Sequence, residues 1–441
     1  MIVEEFNGII IYNCNFKPIL RKLLIIMPGK KVLLVCFVFS LFCYTKLSAQ
    51  EKKYIPIGRS KLKDTVIAAP ADTAYEKDIF DVIKAAFVKA DKPAKVDSIS
   101  TKPVLSILPA VGYTLQTSLA ATISGNIAFR TGPKARISTI TINPAYTQKK
   151  QVIIPLQSNI YTKDNQYTFI GDFRFYKYPQ STFGLGSNSN IANENPLDYS
   201  FFRFNETVLK HVGGDFFAGL GYIFDDRWNM GEKGQLNGGV SDYERYGPVS
   251  RAISTGVTFN TLFDSRDNSI NPSRGFYASA QYRDNFTFLG STAPWRSLII
   301  DVRKYYRLPG NSDNIIAFWS YNWLVLNGRP AYLDLPATGH DPSFTTGRGY
   351  IQGRFRGAQM VYLESEYRFK ITRNGLLGGV LFVNGQSFSA APGTRLEAIQ
   401  PAFGPGLRIK LNKVSKTNIA IDYGFGRERS RGLFINVGEV F

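Results

Sequence analysis

From Val104 onward hydrophobic and polar positions alternate along the chain, repeatedly, in stretches of about ten residues. In one stretch Tyr167, Phe169, Gly171, Phe173 and Phe175 fall on one side, with Gln166, Thr168, Asp172 and Arg174 on the other. Val361, Leu363, Tyr367 and Phe369 likewise oppose Glu364, Glu366, Arg368 and Lys370. Near the end Ile419, Ile421, Tyr423 and Phe425 oppose Asn418, Ala420, Asp422 and Gly424. Successive side chains of a strand point to opposite faces, so each stretch predicts a strand with one apolar and one polar face. A soluble sandwich alternates too, but its apolar face is usually aliphatic. Here the apolar faces are aromatic and the polar faces mix Glu, Asp and Arg, which suits a lipid-facing exterior around a hydrated, charged lumen. The pattern predicts an all-β chain: a transmembrane antiparallel β-barrel.

Strands are expected at 104–113, 118–130, 136–147, 151–162, 165–177, 198–211, 214–225, 250–263, 275–287, 294–306, 313–326, 358–371, 374–385, 399–410, 415–425 and 432–441. That is about sixteen, an even number, as in bacterial outer-membrane barrels. The longest links, 178–197, 226–249, 327–357 and 386–398, all follow an odd-numbered strand. Outer loops are long and periplasmic turns short, so long links on one side are what a barrel requires.

Upstream, residues 1–49 read as an export signal: Lys30 and Lys31, the apolar block from Val32 to Tyr44, then Leu47-Ser48-Ala49 before a cut. Met27 is read as the start and Gln50 as the first mature residue. Residues 50–103, rich in Lys, Asp, Ala and Pro, read as a periplasmic linker with a short helix, or as a helix docked on the periplasmic mouth or in the pore. Ile79, Ile83, Ala86 and Phe87 share the apolar side of that helix. Residues 104–441 form the barrel.

Composition narrows the chemistry. Aromatics reach 14%, with 33 Phe and 24 Tyr, which favours strands. The net charge is +19. The alternation assigns these charges mainly to lumen and loops, so no nucleic-acid groove is expected and outer-membrane lipid and lipopolysaccharide are the expected anionic partners. All 3 cysteines precede residue 50 and only 2 histidines occur, so thiol chemistry, a metal site and a cofactor are not expected. No Gly-x-Ser-x-Gly elbow, His-Glu-x-x-His pair or P-loop points to an enzyme.

Several local patterns resemble the bacterial surface antigen family, the BamA/TamA superfamily of outer-membrane barrels. They are Leu108-Pro109-Ala110-Val111-Gly112-Tyr113, Phe183-Gly184-Leu185-Gly186, and the turn Asp264-Ser265-Arg266-Asp267-Asn268 with Pro272-Ser273-Arg274-Gly275. Most specific is Gly347-Arg348-Gly349-Tyr350 in the longest loop, similar to the family's Arg-Gly-Phe/Tyr loop motif; Gly347 stands where a Val, Ile or Leu commonly precedes the Arg. The resemblance implies an outer loop folded into the barrel, with Arg348, Gly349 and Tyr350 as its latch. Glu364, Glu366 and Asp422 are then the lumenal partners of Arg348. Leu433, Ile435, Val437 and Phe441 resemble the family's C-terminal sorting signal, from which Glu439 departs.

The resemblance further implies insertion or translocation of proteins, or lipids, at the bacterial outer membrane, with nascent outer-membrane proteins or lipids as clients. The seam between first and last strands would be the route. Residues 50–103 are too few for a POTRA domain, so the chain resembles a barrel-only branch. The competing expectation is a passive pore for small solutes or lipids, which needs an open bore.

Overall fold

The computed structural model describes residues 76–82, 103–309, 313–413 and 415–441; the expected export signal and most of the linker lie outside the described residues. It is a closed antiparallel barrel of sixteen strands. In chain order these are β1 (Val104–Thr114), β2 (Ser118–Phe129), β3 (Ser138–Ile142 continued by Ala145–Thr147), β4 (Val152–Tyr161) and β5 (Tyr167–Lys177 continued by Gln180–Thr182). Next come β6 (Asn195–Gly213), β7 (Phe216–Glu232), β8 (Arg251–Asp264), β9 (Gly275–Asn285), β10 (Trp295–Arg307) and β11 (Ile315–Gly328). The wall ends with β12 (Gln359–Lys370), β13 (Leu377–Ser389), β14 (Gln400–Asn412), β15 (Thr417–Gly426) and β16 (Arg431–Val437).

Each strand pairs with the next, and β1 meets β16 to close the ring. The closure is thin. Among the described residues β1 and β16 share the single register pair Tyr113↔Ile435. By contrast β1 pairs with β2 along its whole length, from Val104↔Ala128 to Thr114↔Ser118.

The period-two faces fall as the alternation predicts. On β12 Met360, Tyr362, Glu364, Glu366 and Arg368 are buried inward, while Leu363 is 59% exposed on the outer face. On β15 Asn418, Ala420, Asp422 and Gly424 point in, and Tyr423 and Phe425 are exposed outside. In four strands the departure from the expected bounds has a local reason. β3 breaks at Asn143-Pro144, because proline has no N–H for the ladder; the Pro144 carbonyl still accepts from the Ile123 N–H at 3.1 Å. β6 and β7 run well past the expected ends, carrying the ladder beyond the apolar band, where polar residues still pair but alternation no longer marks them. β16 stops at Val437 rather than reaching 441, since Gly438 at φ +105° turns the chain.

The lumen carries the charge that the alternation suggests, and aromatic packing besides. Two aromatic clusters fill much of it, one built on Tyr176, Tyr199, Phe201 and Tyr332, the other on Trp319, Tyr350, Phe355, Tyr362, Phe388 and Phe441. At the short-turn end the segment 76–82, with a helical turn at 79–82, docks on the barrel. Lys77 N–H donates to the Asn374 carbonyl at 2.9 Å, and the Lys413 Nζ lies 2.7 Å from the Asp81 carboxylate.

Candidate functional site

The longest link, 329–358 between β11 and β12, folds into the barrel as a hairpin. Its arms pair through Ala337↔Arg356, with Thr338 N–H donating to the Phe355 carbonyl at 2.9 Å. Its tip is closed by Asp341, whose carboxylate accepts from the N–H groups of Ser343 (3.1 Å), Thr345 (2.9 Å) and Thr346 (2.8 Å).

Arg348 lies on the returning arm and reaches the inner faces of β12 and β15. Its Nη1 sits 2.6 Å from the Asp422 carboxylate, and its Nη2 contacts Glu364 and Glu366. Its guanidinium also stacks 3.9 Å from the Phe382 ring centroid. All four charged side chains are at most 1% exposed. Burial opposes the charge on Arg348, but Glu364, Asp422 and Glu366 together raise its pKa well above the ordinary arginine value.

Glycine makes this approach feasible. Gly347 has φ +79°, and a Cβ there would lie 2.5 Å from Thr338 Cγ2, so the Val, Ile or Leu common in the motif does not fit this loop. Gly349, at φ +106°, lies against Gly424 of β15, where an added Cβ would meet the Gly349 N at 2.6 Å. The Tyr350 hydroxyl donates to the Pro401 carbonyl at 2.7 Å and accepts from Arg427 N–H at 3.0 Å. Its ring packs edge-on against Phe355, 5.1 Å between centroids.

The carboxylates are shared with two arginines that the motif did not indicate. Arg368 Nε lies 2.7 Å from Glu366, and Arg408 bridges Asp422 at 2.6 Å to Glu439 at 2.8 Å. Both sit on inward positions of their strands, so period two carried a signal for them. Glu439 belongs to the turned-in segment 438–441, and nothing local in the sequence marks it as a lumenal ion. In the same segment Phe441 stacks on Trp319, 5.2 Å between centroids, and its carbonyl accepts from Arg368 Nη2 at 2.9 Å. Phe441 is 4% exposed inside the barrel, whereas Leu433, Ile435 and Val437 belong to the outer face of β16. The expected single apolar set of four is therefore split by the Gly438 turn.

A second anchor, of opposite sign, holds the other arm. Asp334 pairs with Arg227 of β7 and accepts from Ser254 Oγ of β8 at 2.7 Å. Around it Arg203 and Arg283 each lie 2.7 Å from Asp225. The loop thus sets a cation against an acidic wall and an anion against a basic one. The tip also meets the turned-in segment, with Thr345 Oγ1 donating to the Val440 carbonyl at 3.2 Å.

No protein-family model matches the chain, and no curated relative matches it. Solved structures do resemble it. CdiB from Escherichia coli aligns at 8% identity over 77% of this chain and 68% of that one, with a TM-score of 0.51. CdiB from Acinetobacter baumannii aligns at 11% identity over 78% of this chain and 60% of that one, with a TM-score of 0.50. BamA from Haemophilus ducreyi lacking POTRA domains 1–3 aligns at 13% identity, 76% and 69% coverage, and a TM-score of 0.48. The chain therefore spans about 60% of the Acinetobacter structure, and at these identities the CdiB likeness is one of fold.

Proposed function

We propose that this barrel resides in the bacterial outer membrane and belongs functionally with the BamA/TamA superfamily, inserting or translocating proteins or lipids through the seam between β1 and β16. The observation that carries the reading is the seam itself, a single described register pair in a wall whose other junctions run nearly the length of their strands. A barrel with no free edge offers nothing for an incoming strand to pair with; one weak junction can open and expose one. The loop supports the same reading from inside. A passive pore needs a bore, and this lumen is occupied by a hairpin anchored on two walls, with Arg348, Gly349 and Tyr350 acting as the latch.

The test is a reversible lock. Tyr113→Cys with Ile435→Cys places two thiols at the paired positions of the seam. Depletion of the protein is expected to lower the levels of other outer-membrane proteins or lipids, and the oxidised pair to fail where the reduced pair restores them. If depletion leaves those levels unchanged, and the locked barrel still passes small solutes in liposomes, the protein is a pore.

A further inference from the structure

We infer that Arg356 holds a small anion inside the barrel, at the base of the inward-folded loop. Arg356 stands where the loop passes into β12 and is 0% exposed. Its Nη1 donates to the carbonyls of Tyr332 at 3.2 Å and Leu335 at 3.3 Å, on the opposite arm of the loop. Its Nε and Nη2, which share one edge of the guanidinium, are buried without a hydrogen-bond partner.

That edge has a consistent use elsewhere in this barrel. Arg174 grips Asp172 with it at 2.7 and 2.7 Å, Arg203 grips Asp225 at 2.7 and 3.0 Å, and Arg303 grips Asp301 at 2.9 and 2.7 Å. Among the described buried arginines, Arg356 alone has both atoms of the edge buried and unmatched. The carboxylates nearby are taken: Asp334 by Arg227 and Ser254, and Asp341 by the amides of its own turn. The titratable groups in electrostatic range, the Tyr199 and Tyr332 phenols, His340 and Arg227, supply no carboxylate, and the Tyr332 ring, 5.3 Å from the guanidinium carbon, leaves the Nε–Nη2 edge unmatched.

An arginine does not shed its proton, so burial cannot relieve the charge by neutralising it. A water can satisfy an N–H but not the charge, and an unpaired buried charge is far more costly than an unpaired buried dipole. The missing partner has two specifications. It must be small, since Arg356 and both atoms of the edge are fully buried, and it must accept two parallel N–H bonds. A chloride ion or a formate-sized carboxylate meets both. Because Arg356 also ties the two arms of the hairpin together, the anion becomes a component of the loop's inward fold.

The test uses the purified, folded, full-length barrel. Thermal midpoints are measured in chloride, formate and gluconate at constant ionic strength, for the wild type and for Arg356→Gln. Binding to the folded state alone raises the wild-type midpoint with anion concentration by mass action. The rise is expected in chloride, in formate, or in both, but not in bulky gluconate, and it is expected to vanish in Arg356→Gln. A chloride-only response identifies a halide site; a formate-only response identifies a carboxylate site. Crystals of the wild type soaked in bromide or formate should show density against the Nε–Nη2 edge, which decides the matter if Arg356→Gln fails to fold. The inference is overturned by a wild-type midpoint indifferent to anion identity, by a shift that survives in Arg356→Gln, or by soaked crystals with no density at that edge.

Discussion

Arg348 concentrates the energetics of the proposed latch in one side chain. Two unit charges about 4 Å apart at an effective dielectric near 20 attract by roughly 4 kcal/mol before desolvation is counted. The consequence of breaking the contact is easier to fix than its net worth. Removing one member of a desolvated ionic cluster typically costs about 3–5 kcal/mol, against about 0–1 kcal/mol for an exposed pair. Arg348→Ala is therefore expected to lower the melting temperature, to allow protease nicking within 329–358, and to give larger or noisier single-channel conductance. Arg348→Lys should recover little, because an ammonium cannot span β12 and β15 as the planar fork does. Asp422→Asn should reproduce the defect, and combining it with Arg348→Ala should add less than the sum, as for two sites of one interaction. Unchanged stability, loop protection and conductance in Arg348→Ala would falsify the latch. At this scale the sequence was informative where strand periodicity does the work: Glu364, Glu366 and Asp422 are inward by counting in twos. It was silent on Asp334 and Glu439, whose partners are fixed by a loop path and a chain turn that no local pattern encodes.

The loop as an element is held at both arms, and the two anchors make separable predictions. Asp334→Asn leaves Arg227 facing a neutral amide and should free the Tyr332–Asp334 arm while Arg348 stays paired, so nicking should appear before residue 340 rather than after it. The hairpin tip should also respond to pH. Burial, then the charges of Arg356 and Arg227, hold the His340 imidazole well below its ordinary pKa of 6.5. With the folded value depressed, the unfolded state takes up the proton first. Loop stability is then full above about pH 6.5 and declines as pH falls through and below it. Protease accessibility of 329–358 should rise on acidification in the wild type and respond less in His340→Gln. An identical pH response in the two proteins would remove His340 from the account. That the link is long and on the odd-strand side was legible from its length. That it packs an aromatic core beneath itself was not, because the inward face of a barrel strand reads the same whether it meets water or a folded loop.

Across the whole molecule the wall should behave as one cooperative sheet with a single weak line. Closure satisfies the ladder groups internally, so the purified protein should migrate anomalously on a gel until boiled. Equal mobility with and without boiling, joined to a helical circular-dichroism spectrum, would contradict the architecture. Within that envelope the stability is not expected to be uniform. The lumenal aromatic cluster rests on β10 to β14 through Tyr305, Trp319, Tyr321, Met360, Tyr362, Phe388 and Ala402, so these strands are supported by packing as well as pairing. β1, by contrast, meets its partner across the seam at one register pair among the described residues. Local opening follows the least supported hydrogen bonds, so amide exchange in folded barrels should be fastest in β1 and β16 and slowest in β10 to β12. This gradient was beyond the sequence, since the first and last strands alternate like the rest and closure depends on the register of the whole ring. Oxidising the Tyr113→Cys and Ile435→Cys pair should raise protection in β1 and β16 while leaving β10 to β12 unchanged. Uniform protection around the ring before oxidation would mean that the seam is as firm as any other junction, and the lateral route would lose its physical basis.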